Sequence, residues 1–351
     1  MASWAIKALV CLLAAGCQAA QASPEPGAQA AEENRLQAAA RELDQFLAQR
    51  PPSELTGRPL PASSTTDEVR LLVFSHAYGS PARGKTQTPL PSPALTAKCK
   101  ELAALRPKAV VSVGDFVYYY HPESLAATTE VFRSLGAPVI NAVGNHEMSE
   151  REKYIERFGN TFGALRLNKT LMITLDTELD PWQISGEQLK WLQECLALAP
   201  AAGIERLLIF AHKLIFSVGN ERYGPLLASA NGFKPWPGVS NFAEQVLPLL
   251  LAFTSLGHEL LWVGGDIGVP WSYGLFYDHD PKSGITYLCT GMGDQPWDNV
   301  LELSLPLAGK TKIRVIPLTA NALPGLDECG PAAWAKRYPR WKKRLPKLKE
   351  H

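Results

Sequence analysis

From Glu68 onward, short apolar runs alternate with segments of helical periodicity, and this alternation constrains the fold more than any other feature of the chain. VRLLVFS (69–75), KAVVSVGD (108–115), APVINAVGNHE (137–147), TLMITLDT (170–177), RLLIFAH (206–212), HELLWVGGD (258–266), GITYLCTGMG (284–293) and LELSL (301–305) read as strands. PALTAKCKELAALRP (93–107), LAATTEVFRSLG (125–136), ISGEQLKWLQECLALA (184–199) and NFAEQVLPLLLAF (241–253) read as the helices between them. Runs this continuously apolar and β-branched belong to strands covered on both faces, so the expected class is α/β. In such sheets ligands sit beyond the strand ends, and chemistry is sought there.

Those ends carry His76, Asp115, Asn145-His146-Glu147, His212 and Asp266. One such residue is ordinarily a cap or a satisfied core group. Five successive strand ends bearing carboxylate, carboxamide or imidazole converge if the strands are parallel. That mix of nitrogen and oxygen donors suits zinc, manganese or iron, whereas calcium prefers oxygen alone.

Four of these segments resemble the calcineurin-like metallophosphoesterases. SVGDFVYY and AVGNHE look like that family's second and third motifs, LLIFAH like the fourth, and LWVGGDIG stands where the fifth belongs. GDFVY also fits the GDxxY of the purple acid phosphatases, in which the tyrosine, here Tyr118, binds iron. The match runs over about residues 68–305, with GEQLKWLQECL in the place of the family's QxxWL helix. It implies a four-layer α/β/β/α sandwich, to which the helical periodicity before residue 51 adds an N-terminal helical extension. It also implies two metal ions roughly 3.5–4 Å apart that activate water and clamp phosphate oxygens. On this resemblance Asp115 bridges the two ions and His146 donates a proton to the leaving group.

The chain departs from the pattern at two motifs. VFSHAYG aligns with FSDxHG, so His76 stands in place of an aspartate and Tyr78 in place of a histidine. GDIG replaces GHxH, putting Asp266 and Gly268 at its histidine positions. The first metal position then keeps Asp115, with His76 and Tyr118 as unusual candidates. The second keeps Asp115, Asn145 and His212, with Asp266 as a carboxylate substitute for imidazole. The expectation is an altered centre with one divalent ion (Mn, Fe or Zn) rather than two. Two functions follow: a phosphoester hydrolase, or a catalytically silent fold acting as a binding or assembly protein. Retention of Asp115, Asn145, His146 and His212 together favours the hydrolase, and loss of first-site side chains favours the silent fold.

The remaining segments address location. MASWAIK followed by ALVCLLAA has the charge and short apolar core of a signal peptide, residues 1–22, too short to span a membrane. AAGC (14–17) resembles a lipobox, making Cys17 a lipidation site; AQA (20–22) offers plain cleavage instead. Export to a bacterial periplasm or outer membrane is expected, with a membrane partner through the lipid. Substrates would then be phosphorylated small molecules, or glycan or lipid phosphates of the envelope. Residues 23–66 read as linker and helix, with NRLQAAARELDQFLAQR (34–50) the helical part. Residues 306–351 read as an extension ending in a tail with eight Lys or Arg between Lys336 and Lys349. The net charge of +1 gives no indication of nucleic-acid binding. Cys99, Cys195, Cys289 and Cys329 lack zinc-ligand spacing, and both free thiols and disulfides are open to them. Tyr118 to Tyr120, Trp271, Tyr273 and Trp297 read either as core or as a groove that stacks on a sugar ring.

Overall fold

The fold is taken from a computed structural model, which describes residues 26–63, 68–79, 90–230, 240–268 and 273–343. The segment expected to be a signal peptide, Cys17, Trp271 and the end of the basic tail lie outside the described residues.

The strands are β1 (Val69–Phe74), β2 (Ala109–Ser112), β3 (Val139–Asn141), β4 (Gly163–Leu167), β5 (Thr170–Leu175), β6 (Arg206–Ala211), β7 (Glu259–Gly264), β8 (Leu275–Asp280), β9 (Ile285–Thr290), β10 (Asn299–Leu305) and β11 (Lys312–Pro317). The helices are α1 (Pro26–Ala48), α2 (Pro93–Ala104), α3 (Pro122–Ser134), α4 (Asn145–Met148), α5 (Arg151–Phe158), α6 (Gly186–Leu198), α7 (Gly224–Leu227), α8 (Leu247–Thr254) and α9 (Pro331–Arg337).

Two sheets result, ordered β11-β10-β1-β2-β3 and β4-β5-β6-β7-β9-β8. Within the first, β1, β2 and β3 run parallel; within the second, β5, β6, β7 and β9 do. The two-residue alternation of β1 sorts its side chains between two cores. Leu71 and Val73 join residues of the second sheet, while Leu72 and Phe74 meet Leu95 and Cys99 of α2 and Phe132 of α3. Sheet on sheet, flanked by helices, is the expected α/β class. Proline placement sets the helix starts: Ser92 caps α2 and His121 caps α3, each followed by a proline at the first helical position. Pro248, lacking an N–H, sits at the junction where a π-turn over Phe242–Val246 passes into α8.

The flanking segments differ from the reading of the sequence. Helix α1 begins at Pro26 rather than Asn34, because AQAAEE (28–33) is built of strong helix formers. It packs on β4 and α6, burying Leu43 and Leu47, and Arg166 of β4 grips Asp44 through two bonds of 2.8 and 2.6 Å. The stretch after α1 is no free spacer: Leu55 is buried, and its N–H bonds the Val139 carbonyl. Beyond residue 305, β11 extends the first sheet and Trp334 is fully buried against β8, its indole N–H bonding the Leu275 carbonyl. Leu43→Ala should therefore cost about 2–5 kcal/mol, the usual scale for emptying a buried leucine site. Urea unfolding measures this, and an unchanged midpoint would mean that α1 is only a tether. The four cysteines Cys99, Cys195, Cys289 and Cys329 are free and buried.

Candidate metal centre

Both sheets deliver their parallel strand ends to one place. His76 follows β1, Asp115 follows β2, Asn145 opens α4 after β3, His212 follows β6 and Asp266 follows β7. His76 and Asp115 have φ of 54° and 53°, a conformation that L-residues seldom adopt and that tends to be held at functional sites. Two glycines allow the approach. A Cβ on Gly114 would come within 2.5 Å of His212 Nδ1, and one on Gly144 would collide with the Asp115 carboxylate. This is the physical content of GD and GN in the sequence.

Three imidazoles surround one carboxylate oxygen. Asp115 Oδ2 is 3.3 Å from His76 Nε2, 3.2 Å from His212 Nε2 and 3.6 Å from His146 Nε2. Their other nitrogens are tied back. His212 Nδ1 lies 2.8 Å from the Val113 carbonyl and His146 Nδ1 2.6 Å from that of Tyr118. A carbonyl can only accept, so each Nδ1 carries the hydrogen and each Nε2 is directed at Asp115. His76 Nδ1 has the Ser75 hydroxyl at 3.4 Å, and that hydroxyl donates to the Val113 carbonyl at 2.9 Å. Anchoring the far nitrogen of an imidazole in this way is how proteins orient metal-ligating histidines.

The residues fit a divalent ion. His76, Asp115 and His212 are buried and their donor atoms lie within 4.8 Å of one another. His212 Nε2 is buried and finds no well-aligned hydrogen bond, with Asp115 Oδ2 at 3.2 Å and Asp266 Oδ1 at 3.8 Å. Donors 3.2–3.3 Å apart match two ligands of a tetrahedral ion with bonds of about 2.0–2.2 Å. His146 stands at the outer edge with 22% of its side chain exposed. The Tyr118 ring lies 4.6 Å from that of His146 and 5.2 Å from that of buried Tyr78. Gly268 contributes no donor, and with φ at 105° and Gly291 2.5 Å from where a Cβ would be, its backbone leaves no room for one.

Two residues to which the sequence reading gives no role complete the site. Glu147 is fully buried, and its Oε1 accepts from Asp115 N–H (3.0 Å), Gly144 N–H (3.1 Å) and Asn141 Nδ2 (3.1 Å). It ties the GD turn to the GNHE turn, and it is the fourth letter of GNHE. Lys213 is the larger surprise. Its ammonium lies 2.5 Å from Asn145 Oδ1 and 2.9 Å from Asp266 Oδ2, on the oxygens that the sequence reading offers to a metal. Of the other histidines, His121 caps α3, His258 lies against Phe253 and His279 is exposed on β8. Tyr273 and Trp297 pack on each other, and the Arg337 guanidinium stacks on Tyr273 at 3.9 Å. The QxxWL-like helix works through Gln188, which bonds both the N–H and the carbonyl of Asp176 at the end of β5.

Charge pairing tunes these groups. Burial lowers His76, keeping it a neutral donor despite Asp115 beside it. Burial alone would raise Asp115, yet the charges of His212 and His146 hold it well below the usual carboxylate range. Burial alone would lower His212, but Asp115 and Asp266 lift it to about 9. Glu147 is pushed up to about 7 by burial and by the Asp115 charge. His212 is raised above its ordinary 6.5, so its stabilising charge is complete below that pH and lost as pH climbs through about 9. Glu147 acts in the same direction lower down, between about 4.5 and 7. Chelated protein should therefore lose on the order of 3 kcal/mol of stability between about pH 6.5 and 9. A divalent ion competes with that proton for Nε2, so its affinity should rise over the same interval. Urea midpoints and metal titrations at several pH values check both, and a flat profile would contradict the Asp115–His212 pairing.

No protein-family model matches the chain, and no curated protein matches it. Among solved structures it is similar to a purple acid phosphatase from yellow lupin (Lupinus luteus) seeds, at 14% identity over 76% of this chain and 54% of that one, with a TM-score of 0.48. It is also similar to a dimetal phosphatase from Danio rerio, at 14% identity over 72% of this chain and 100% of that one, with a TM-score of 0.46. A third is a 5'-nucleotidase from Candida albicans, at 12% identity over 74% and 53%, with a TM-score of 0.38. The chain spans about half the length of the lupin and Candida proteins and all of the Danio one. Two of the three are described as phosphatases and the third as a nucleotidase.

Proposed function

We propose that this chain is a phosphoester hydrolase of the calcineurin-like type that uses a single divalent ion. The observation that carries the reading is the convergence of His76 Nε2, His212 Nε2 and Asp115 Oδ2, each buried and oriented, beside a partly exposed His146. Two imidazoles and one carboxylate suit zinc, iron or manganese. Bound there, the ion supplies a Lewis acid for a phosphoryl oxygen and a nucleophilic water at neutral pH.

The chain's own residues supply the remaining steps. His146 holds its Nδ1 hydrogen on the Tyr118 carbonyl, which leaves Nε2 to carry a proton toward the leaving-group oxygen. Asp115 Oδ2 lies 3.6 Å from that Nε2. Asp115 Oδ1 accepts the His146 N–H at 3.0 Å, which fixes the GNH turn against the carboxylate. Substrates in this reading are phosphorylated small molecules, or glycan or lipid phosphates of a cell envelope. The test is hydrolysis of p-nitrophenyl phosphate and bis-p-nitrophenyl phosphate by chelated protein resupplied with zinc, manganese or iron. Metal-dependent turnover is expected. No turnover with any of the three ions would overturn the hydrolase reading.

One observation favours the second reading, a catalytically silent binding protein. Lys213 pairs with Asp266 while protonated His212 pairs with Asp115, so the buried charges are matched without an ion. Absence of bound metal together with absence of turnover would select it. We place the protein outside the cytoplasm, anchored through Cys17, on the strength of its N-terminal sequence. Cys17→Ala should move it from the membrane to the soluble fraction, and unchanged fractionation would contradict the anchor.

A further inference from the structure

We propose that the Lys213 ammonium is a built-in cation that takes the place of a second metal ion, so that the centre works with one divalent ion and one lysine. The inference deepens the hydrolase reading and rests on it for the first ion. Its own support is separate. Four donors surround the second position in the sequence: Asp115, Asn145, His212 and Asp266. Lys213 Nζ lies 2.5 Å from Asn145 Oδ1 and 2.9 Å from Asp266 Oδ2. A divalent ion bonds such oxygens at about 2.0–2.2 Å. Nζ already occupies both oxygens at hydrogen-bond distance, and an ion bonded to them would sit beside a second buried cation that repels it.

The lysine is held from several sides. Glu178 Oε1 is 3.8 Å from Nζ, the Trp182 ring centroid is 5.8 Å away, and the Lys213 backbone N–H bonds the Thr177 hydroxyl at 3.1 Å. Only 5% of the residue is exposed, so the ammonium has no ready route to water. Charge gives the same answer as geometry. Where the family motif has a neutral imidazole, Asp266 brings a negative charge, and Lys213 is the cation that matches it. The second histidine position is Gly268, which has no room for a donor. Lys213 thus acts as a positioning residue: it orients Asn145 and Asp266 and supplies a fixed positive charge beside the metal, without coordination chemistry of its own.

The test counts metal ions by mass spectrometry in full-length protein exchanged into manganese, comparing wild type with Lys213→Ala. One ion in wild type and two in the variant is the expected result. Two ions in wild type overturn the inference, as does a folded variant that still binds one. No ion in wild type but one in the variant would uphold the inference while overturning the hydrolase reading; none in either overturns both. Lys213→Ala leaves Asp266 without its cation and can fail to fold. Lys213→Ala with Asp266→His removes that charge and restores an imidazole donor, so it should fold and take two ions, and a folded double variant with one overturns the inference.

Discussion

Asp115→Ala should abolish metal binding and lower phosphoester turnover by at least about 10²-fold, the upper end of what losing an outer-shell partner of a metal site costs. The effect should be that large because a single carboxylate does several things at once. Its Oδ2 is the common neighbour of three imidazoles, at 3.2, 3.3 and 3.6 Å. Its Oδ1 holds the His146 N–H, and its own N–H is held by Glu147. Removing it leaves His76 and His212 with no anionic partner for an ion, and an ion bound by two neutral imidazoles in a buried site is poorly compensated. His212 should return toward or below its ordinary range, because burial then acts against its charge with only Asp266 opposing. Metal analysis, an NMR titration of the histidines and activity should therefore change together. Loss of activity with one ion still bound would place the metal elsewhere.

Lys213→Met should cost about 3–5 kcal/mol of folding stability, the scale for removing one partner of a buried ion pair. Methionine keeps most of the stem's volume, so the loss comes from charge. Asp266 is 1% exposed, and without the ammonium 2.9 Å from its Oδ2 it is left buried with only His212, 3.8 Å from its Oδ1, to offset its charge. Adding Asp266→Leu should recover most of the loss, since a buried ion pair exchanged for apolar groups of similar size is often neutral. Denaturant unfolding of both single variants and the double gives the coupling energy. Strict additivity would mean that the pair contributes nothing specific.

Much of this site is legible in the sequence because a parallel strand has a polar end and a fixed direction. His76, Asp115, Asn145, His212 and Asp266 each terminate an apolar run, and both sheets turn those ends to one point. Lys213 was not legible. A lysine just after a strand ordinarily faces water, and only spatial proximity to Asn145 and Asp266 reveals it as buried. One signal was present: exchanging an imidazole position for Asp266 adds a charge that something nearby must match. Glu147 stands among the strand-end residues, but its part in joining the Asp115 and Gly144 turns is visible only from its hydrogen bonds. In the flanks, polarity masks the packing. β11 is an edge strand with half of its residues exposed, and its lysine and arginine made it look like an extension. In α1, the alanine-rich residues ahead of Asn34 carry no large apolar side chain, so helical periodicity marks only 34–50.

Titration of chelated protein with cobalt(II) tests the central claim most directly, because the visible bands of the bound ion report both its number and its low coordination. The account predicts an endpoint at one equivalent per chain, absent in His76→Ala and Asp115→Ala. An endpoint at two equivalents, or one that His76→Ala leaves unchanged, would contradict it.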